Sequence, residues 1–339
     1  MIIVRSITID DFNAFAKLAF TARAGMMNMP KSKEILYQKV EHSVASFASA
    51  IAMPRGEFYL FVLEDLKENV IGGSCAIKAS TGVKTPYHYF RIGEEHHPYP
   101  KLALEHKIPT LTAESYVDGP SEACSLYLLP RYRQGGLGRL LSLSRFLFMA
   151  HQPQRFKDTI FASMRGIIDH NGRSPFWEHV GTHFLPIDYK SVLKELEHDE
   201  QFAAQVAPHS PIYIPLLNSS ARHSLGKVHP DSSPALKILL DEGFKNEGKV
   251  DIFDGGPRVL AVVDRIRTVK EHRQAIVSKI IAGKNHSTIV ASKQQCFRAC
   301  YSNVVTFDDG TVGIPHCTAE ALHINEGDTI YYVSSKRKQ

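Results

Sequence analysis

The run Arg133-Gln134-Gly135-Gly136-Leu137-Gly138-Arg139 has residue types and spacing that could do chemistry. It follows the apolar run Ala123-Cys124-Ser125-Leu126-Tyr127-Leu128-Leu129 and opens another, Leu140-Leu141 onward to Phe148. That layout reads as strand, glycine turn, helix. Glycines let backbone N–H groups converge on one small space, and the helix dipole adds partial positive charge there. Such a nest binds a diphosphate, and Arg-x-x-Gly-x-Gly after a strand points to the pyrophosphate of coenzyme A. A dinucleotide fingerprint would place Gly-x-Gly-x-x-Gly early in a βαβ unit with an acidic residue some way on. Here the first motif position is Arg133, and no Gly-Lys-Ser/Thr follows to make a Walker loop. A plain strand-to-helix turn remains the alternative.

Other reactive residues are less patterned. The cysteines, Cys75, Cys124, Cys296, Cys300 and Cys317, are odd in number and scattered, as expected for free thiols in a reducing compartment. Cys296 and Cys300 with His316 and Cys317 have poor spacing for zinc, so no metal is expected. The chain has 17 histidines, so an unselected one is most often structural or solvent-facing.

The positioning elements begin with a strand at Ile2–Ile7. A helix then runs from Phe12 to Arg23, led by Asp10 and Asp11. A small, thioether-rich loop follows, Ala24-Gly25-Met26-Met27-Asn28-Met29-Pro30, and then a helix from Ser32 to about Ile51. Glu57–Leu63 and Val70–Ala79 read as neighbouring strands. Residues 81–118, rich in aromatic residues, His and Pro, read as a long irregular insertion with some strand. The motif strand is expected at about 122–129, its helix at about 137–150, and a further strand at Thr159–Ile168. Two phrases starting Ser174-Pro175 and Ser233-Pro234 read as Pro-started, Gly-ended helices, with a mostly helical segment at about 187–225 between them. Beyond Asp251-Ile252-Phe253-Asp254-Gly255-Gly256-Pro257 come short β-like runs. These predict a small β-barrel-like C-terminal domain over 258–339, after a first domain over 1–257.

The 339 residues are 43% hydrophobic and 22% charged, ordinary globular composition with room for two cores. No apolar run has the length of a membrane span, and the greasiest helix carries Arg145. The N-terminus lacks the basic-then-apolar shape of a signal peptide, so a cytoplasmic protein is expected. A formal charge of +5, partly from Lys336-Arg337-Lys338, suits anionic ligands. No basic stripe with interleaved aromatics is present, which argues against nucleic-acid binding.

Strand, glycine turn, helix, strand and then Pro175-Phe176-Trp177-Glu178-His179-Val180-Gly181 resembles the acyl-CoA N-acyltransferases of the GNAT superfamily. A longer collinear set of phrases is similar to the arginine N-succinyltransferase family. It includes Phe61-Val62-Leu63-Glu64-Asp65, Ser144-Arg145-Phe146, Met164-Arg165-Gly166, Val228-His229-Pro230 and Asp251-Ile252-Phe253-Asp254-Gly255-Gly256-Pro257. Departures fall at residues 23–30, where the family tends to carry a Gly-rich loop, and in the 81–118 insertion.

The resemblance implies an α+β fold with a mixed, mostly antiparallel sheet flanked by helices. It implies succinyl transfer from succinyl-CoA, a co-substrate and not a resident cofactor, to the α-amine of L-arginine, with ornithine as a further acceptor. It assigns backbone contacts with the pantetheine and carbonyl to Leu126-Tyr127-Leu128. The pyrophosphate falls to Arg133, Gln134, Gly135, Gly136, Gly138 and Arg139, with Arg139 free to add charge. It places His229 at the proton donor; a loop histidine is the plainer alternative. Asp251 and Asp254 are candidates for the guanidinium, or turn residues that stabilise the Gly255-Gly256 bend. Arg165 is a candidate for a substrate carboxylate, or bridges strands. Cys124 is expected to pack, since direct transfer needs no acyl-enzyme. Relatives include paired, non-identical subunits, so a homo-oligomer or a hetero-oligomer with a related subunit is expected. Competing readings are an N-acyltransferase with another amine or acyl group, and a non-catalytic acyl-CoA-binding protein.

Overall fold

The computed structural model describes residues 1–22, 29–199, 201–282, 288–292 and 296–335. Residues 23–28, most of the loop that departs from the family pattern, lie outside the described residues, as does the basic tail 336–338.

The sequence Phe58-Tyr59-Leu60-Phe61-Val62-Leu63 is apolar on every residue because its strand is covered on both faces. Tyr59, Phe61 and Leu63 pack with the helix Leu137–His151, whereas Leu60 and Val62 pack with the helices Phe12–Thr21 and Lys33–Ala48. These helices are α3, α1 and α2, and they form two layers around a sheet. The strands are β1 (Ile2–Ser6), β2 (Phe58–Asp65), β3 (Val70–Lys78), β4 (Tyr87–Tyr99), β5 (Leu104–Tyr116), β6 (Ser121–Leu128), β7 (Thr159–Ser163), β8 (Ile212–Tyr213), β9 (Lys245–Val250) and β10 (Pro257–Val262). The C-terminal part adds β11 (Arg273–Ile281), β12 (Thr288–Ser292), β13 (Arg298–Ser302), β14 (Val305–Thr306), β15 (Val312–Pro315) and β16 (Thr329–Ser334).

Their order is β14-β15-β11-β16-β12-β13-β1-β2-β3-β6-β7-β10-β9-β4-β5-β8. The pairings are antiparallel except β6 with β7 and β11 with β15. The expected α+β architecture, a mixed and mostly antiparallel sheet flanked by helices, is the observed one. Between β7 and β9 lie short helices α4 (Pro175–His179), α5 (Tyr189–His198), α6 (Phe202–Val206), α7 (Ser219–Ser224) and α8 (Ser233–Asp241). The last two are α9 (Arg267–Glu271) and α10 (His316–Leu322).

Two boundaries differ from the sequence reading. Strand β10 begins at Pro257 but pairs with β7 and β9, so it belongs to the larger sheet. The C-terminal strands are continuous with that sheet through β13, which pairs with β1 at Ile3↔Cys300. Phe297, just before β13, stacks edge-on against Phe61 and Phe148 at 5.4 and 5.5 Å. Aromatic pairs of this kind contribute about 0.5–1.5 kcal/mol each beyond their burial.

The region 81–118 is not irregular. β4 and β5 are 13 residues each and pair along their whole length, from Tyr87↔Tyr116 to Tyr99↔Leu104. Phe90 and Leu111 are buried near the base, while the distal half is largely exposed. With water on both faces there is no apolar alternation to read. Polar cross-strand pairs such as His96 with Glu105 take its place.

Candidate active site

β6 and β7 are paired in parallel over only two positions, Ser121↔Ile160 and Glu122↔Phe161. Beyond Glu122 the two strands have no ladder between them, which leaves a V open toward their C-terminal ends. β6 is also bulged. Its register against β3 shifts between Ser74↔Tyr127 and Ala76↔Cys124, so two residues of β6 face one of β3. Ser125 sits at φ +53° in that bulge, a left-handed conformation that is uncommon for a non-glycine residue. The bulge and the splay together turn backbone of β6 into a cavity of about 910 Å³.

One arm of the V ends in the glycine turn. Gly135 and Gly136 have φ of +62° and +76°, and Gly136 is the N-cap of α3. Two successive left-handed residues are why this turn needs glycine. Gln134, Gly136, Leu137, Gly138 and Arg139 line the cavity, as do Leu126, Tyr127, Leu128 and Arg133. Arg133 is exposed, and its Nε donates to the Leu128 carbonyl at 2.9 Å. Gly135 is not among the lining residues. Arg139 is not a loose charge: its Nη2 is paired with Asp241 Oδ2. The C-terminal strands reach this turn as well, where Tyr301 donates its hydroxyl to the Gly136 carbonyl.

The other arm ends in Met164-Arg165-Gly166, backed by the turn between β9 and β10. Asp254 accepts from the backbone N–H of Gly166 through Oδ2 and of Gly256 through Oδ1, both at 2.8 Å. Asp251 Oδ1 accepts from Phe253 N and Asp254 N. Both carboxylates therefore hold the bend, and both also line the cavity. Among the described residues none donates to Asp251 Oδ2. Burial raises both acids, and the neighbouring Asp251 charge helps push Asp254 up to about 7. Arg165 lines the cavity beside them.

His229 is fastened to this second arm through its backbone, N–H to the Arg165 carbonyl at 2.8 Å. Its ring is not among the cavity-lining groups, although Asp231 and Ser232 next to it are. Nδ1 accepts from the Asp231 N–H at 3.1 Å, so the neutral ring carries its proton on Nε2. The sequence reading thus brings eleven of its thirteen site residues to one cavity and leaves Gly135 and His229 at its border.

Three lining groups escaped that reading. Glu122, buried at the apex of the V, is paired with Lys78 at 3.1 Å. Arg145 lines the cavity from within α3 and is 1% exposed. A single cation within the largely apolar run from Leu140 to Ala150 was the available signal for it. Among the described residues no group of three or more His, Cys, Asp or Glu could hold a metal ion. No described helix is long and apolar enough to cross a membrane.

The sequence model of the family described as "Arginine N-succinyltransferase beta subunit" matches residues 2–268, and that of its C-terminal domain matches residues 273–334. The chain belongs to the arginine N-succinyltransferase family. It is thus an acyl-CoA-dependent N-acyltransferase. A family member from Photorhabdus laumondii, named arginine N-succinyltransferase, is 36% identical over 340 residues, which cover 98% of each chain. One from Shigella boydii is 34% identical over 82% of this chain and 81% of its own. The solved structure of arginine/ornithine succinyltransferase subunit AI from Pseudomonas aeruginosa superimposes with a TM-score of 0.90 at 32% identity. That match covers 99% of both chains. The family's two sequence models meet between 268 and 273, past β10, in agreement with the strand pairing.

Proposed function

We propose that this enzyme moves the succinyl group of succinyl-CoA to the α-amine of L-arginine, with ornithine as a second acceptor, in the first step of arginine breakdown. The observation that carries the reading is the bulged, splayed β6 whose cavity ends at the glycine turn, in a chain of this family. The turn at 134–139 takes the pyrophosphate, and backbone of β6 near the bulge polarises the thioester carbonyl. The neutral α-amine attacks that carbonyl, the new C–N bond forms, and the C–S bond breaks. The departing thiolate takes the Nε2 proton of His229 in its imidazolium form, with Asp231 Oδ2 4.0 Å from Nδ1, so the ring ends neutral; the amide nitrogen loses its excess proton to solvent or a cavity base, and solvent recharges the ring. A small approach of the 229–232 loop brings the ring to the cavity rim, where Asp231 and Ser232 already stand. Asp251 is our candidate for the guanidinium and Arg165 for the acceptor carboxylate, both from the cavity wall.

The names "beta subunit" and "subunit AI" among its relatives favour work within an oligomer, with itself or a related chain. We place it in the cytoplasm. Free-thiol release from succinyl-CoA and acetyl-CoA is the test, with L-arginine, L-ornithine and L-lysine as acceptors. Fast release with succinyl-CoA and L-arginine is expected. Release with another pairing moves the substrate assignment, and CoA binding without release under any pairing favours a binding role.

A further inference from the structure

Arg145 has a feature the transfer of a simple acyl group would not need. The residue is 1% exposed, and it is the one buried Lys or Arg among the described residues that line the cavity. No carboxylate of the described residues contacts it. Nη1 donates to the Cys124 carbonyl at 3.4 Å, Nη2 to Ser142 Oγ at 2.9 Å and Nε to the Ser142 carbonyl at 3.2 Å. A buried charge held by neutral acceptors alone is costly, and an anion that reaches it is bound strongly. Lys78, the neighbouring cation at the apex, already has Glu122.

Its place on α3 says which anion. Arg145 lies eight residues into the body from Leu137, about 12 Å along the helix axis. Leu128 to Ser125 spans roughly 10 Å of β6 in the same direction. A pantetheine arm that starts at the turn and runs back along β6 brings its thioester to the bulge at Ser125. The guanidinium is at the carbonyl of Cys124, one residue beyond. The phosphates stay at the exposed end, near Arg133; what extends past the thioester is the tail of the acyl group.

The geometry points to Arg145 as the receptor for the distal carboxylate of a dicarboxylic monoacyl donor, and so as the residue that sets donor specificity. It rests on the reading of succinyl-CoA as donor and explains how an acyl chain of the same length without the charge is refused. Ser142, which accepts from Nε through its carbonyl and from Nη2 through its hydroxyl, positions it. The acyl transfer itself is unchanged: the C–N bond forms and the C–S bond breaks as before.

The test compares kcat/KM for succinyl-CoA and butyryl-CoA, which share a four-carbon chain, in the full-length enzyme and in Arg145→Gln, Arg145→Lys and Ser142→Ala. The unaltered enzyme should favour succinyl-CoA by at least about 100-fold. Arg145→Gln should erase most of that ratio through loss with succinyl-CoA alone, while butyryl-CoA turnover holds or rises. Arg145→Lys and Ser142→Ala, milder changes that keep the buried charge, should lower the ratio by roughly 3- to 10-fold. An equal loss with both donors, or an unchanged ratio in every folded variant, overturns the assignment and leaves Arg145 a structural tie between α3 and β6. An unaltered enzyme indifferent between the donors overturns the donor reading itself, and this assignment with it.

Discussion

The hydroxyl of Tyr301 donates to the carbonyl of Gly136 at 2.9 Å, across 165 residues of sequence. The contact ties β13 of the C-terminal unit to the first turn of α3. It adds to the Leu140 N–H, which donates to the same carbonyl at 3.0 Å, in fixing a Gly-Gly backbone that prefers no single conformation. The C-terminal strands thus have a role in holding the glycine turn in shape. Tyr301→Phe should raise the KM for the acyl-CoA by about 3- to 10-fold with kcat nearly unchanged, the expected cost of one hydrogen bond. Steady-state kinetics with varied acyl-CoA checks this; a fall in kcat alone would contradict it.

Gly136→Ala should be worse in two ways. The left-handed φ of +76° costs an L-residue about 1–2 kcal/mol, and the new Cβ would sit 3.1 Å from the Tyr301 hydroxyl. Urea unfolding should show the loss of stability, and acyl-CoA binding should weaken with it.

His229→Ala should leave acyl-CoA affinity near that of the unaltered enzyme, because the ring does not line the cavity. Turnover should fall by about 10²–10⁴-fold, the range for a lost general acid. Calorimetric binding together with stopped-assay turnover separates the two. Full turnover in the variant would return His229 to a loop histidine.

Asp254 couples folding to pH. Its ordinary carboxyl value is 3.8, and burial with the Asp251 charge lifts it to about 7 in the folded chain. Between roughly pH 4 and pH 7 the folded state therefore binds more protons at this site than the unfolded one, and stability falls as pH rises. The penalty is absent below pH 4 and complete above pH 7, on the order of a few kcal/mol. Asp254→Asn removes this titration. Urea midpoints at pH 5 and pH 7.5 should drop more in the unaltered protein than in the variant.

Thiol chemistry should be silent in catalysis. Cys75, Cys124 and Cys300 are buried, and burial pushes their thiols up to about 12, 11 and 12. Cys296 and Cys317 are exposed. An aromatic disulfide reagent should label two thiols in the native protein and five after denaturation, with activity retained in the first case. Inactivation that tracks labelling of Cys124 would argue for an acyl-enzyme.

What the chain determines on its own is local. Gly135 and Gly136 before Leu137 announce a turn and a helix start because glycine takes backbone conformations closed to other residues at no steric cost. The unbroken apolar run of β2 announces a strand covered on both faces for a similar reason. Collinear phrases such as Met164-Arg165-Gly166 and Val228-His229-Pro230 carried the family, and with it most of the cavity wall.

The rest was decided between residues far apart. Nothing in Cys124-Ser125-Leu126 marks a bulge; it exists because β6 must pair with β3 on one side and part from β7 on the other. Arg145 looked like a break in an apolar helix until α3 packed it against the Cys124 carbonyl. Asp251 and Asp254 could have been ligands or turn residues, and the backbone N–H groups of Gly166 and Gly256 made Asp254 a turn residue. The arm of β4 and β5 has no apolar period because water meets both of its distal faces. A contact's partner, and the exposure that follows from it, are properties of the folded chain and not of a stretch within it.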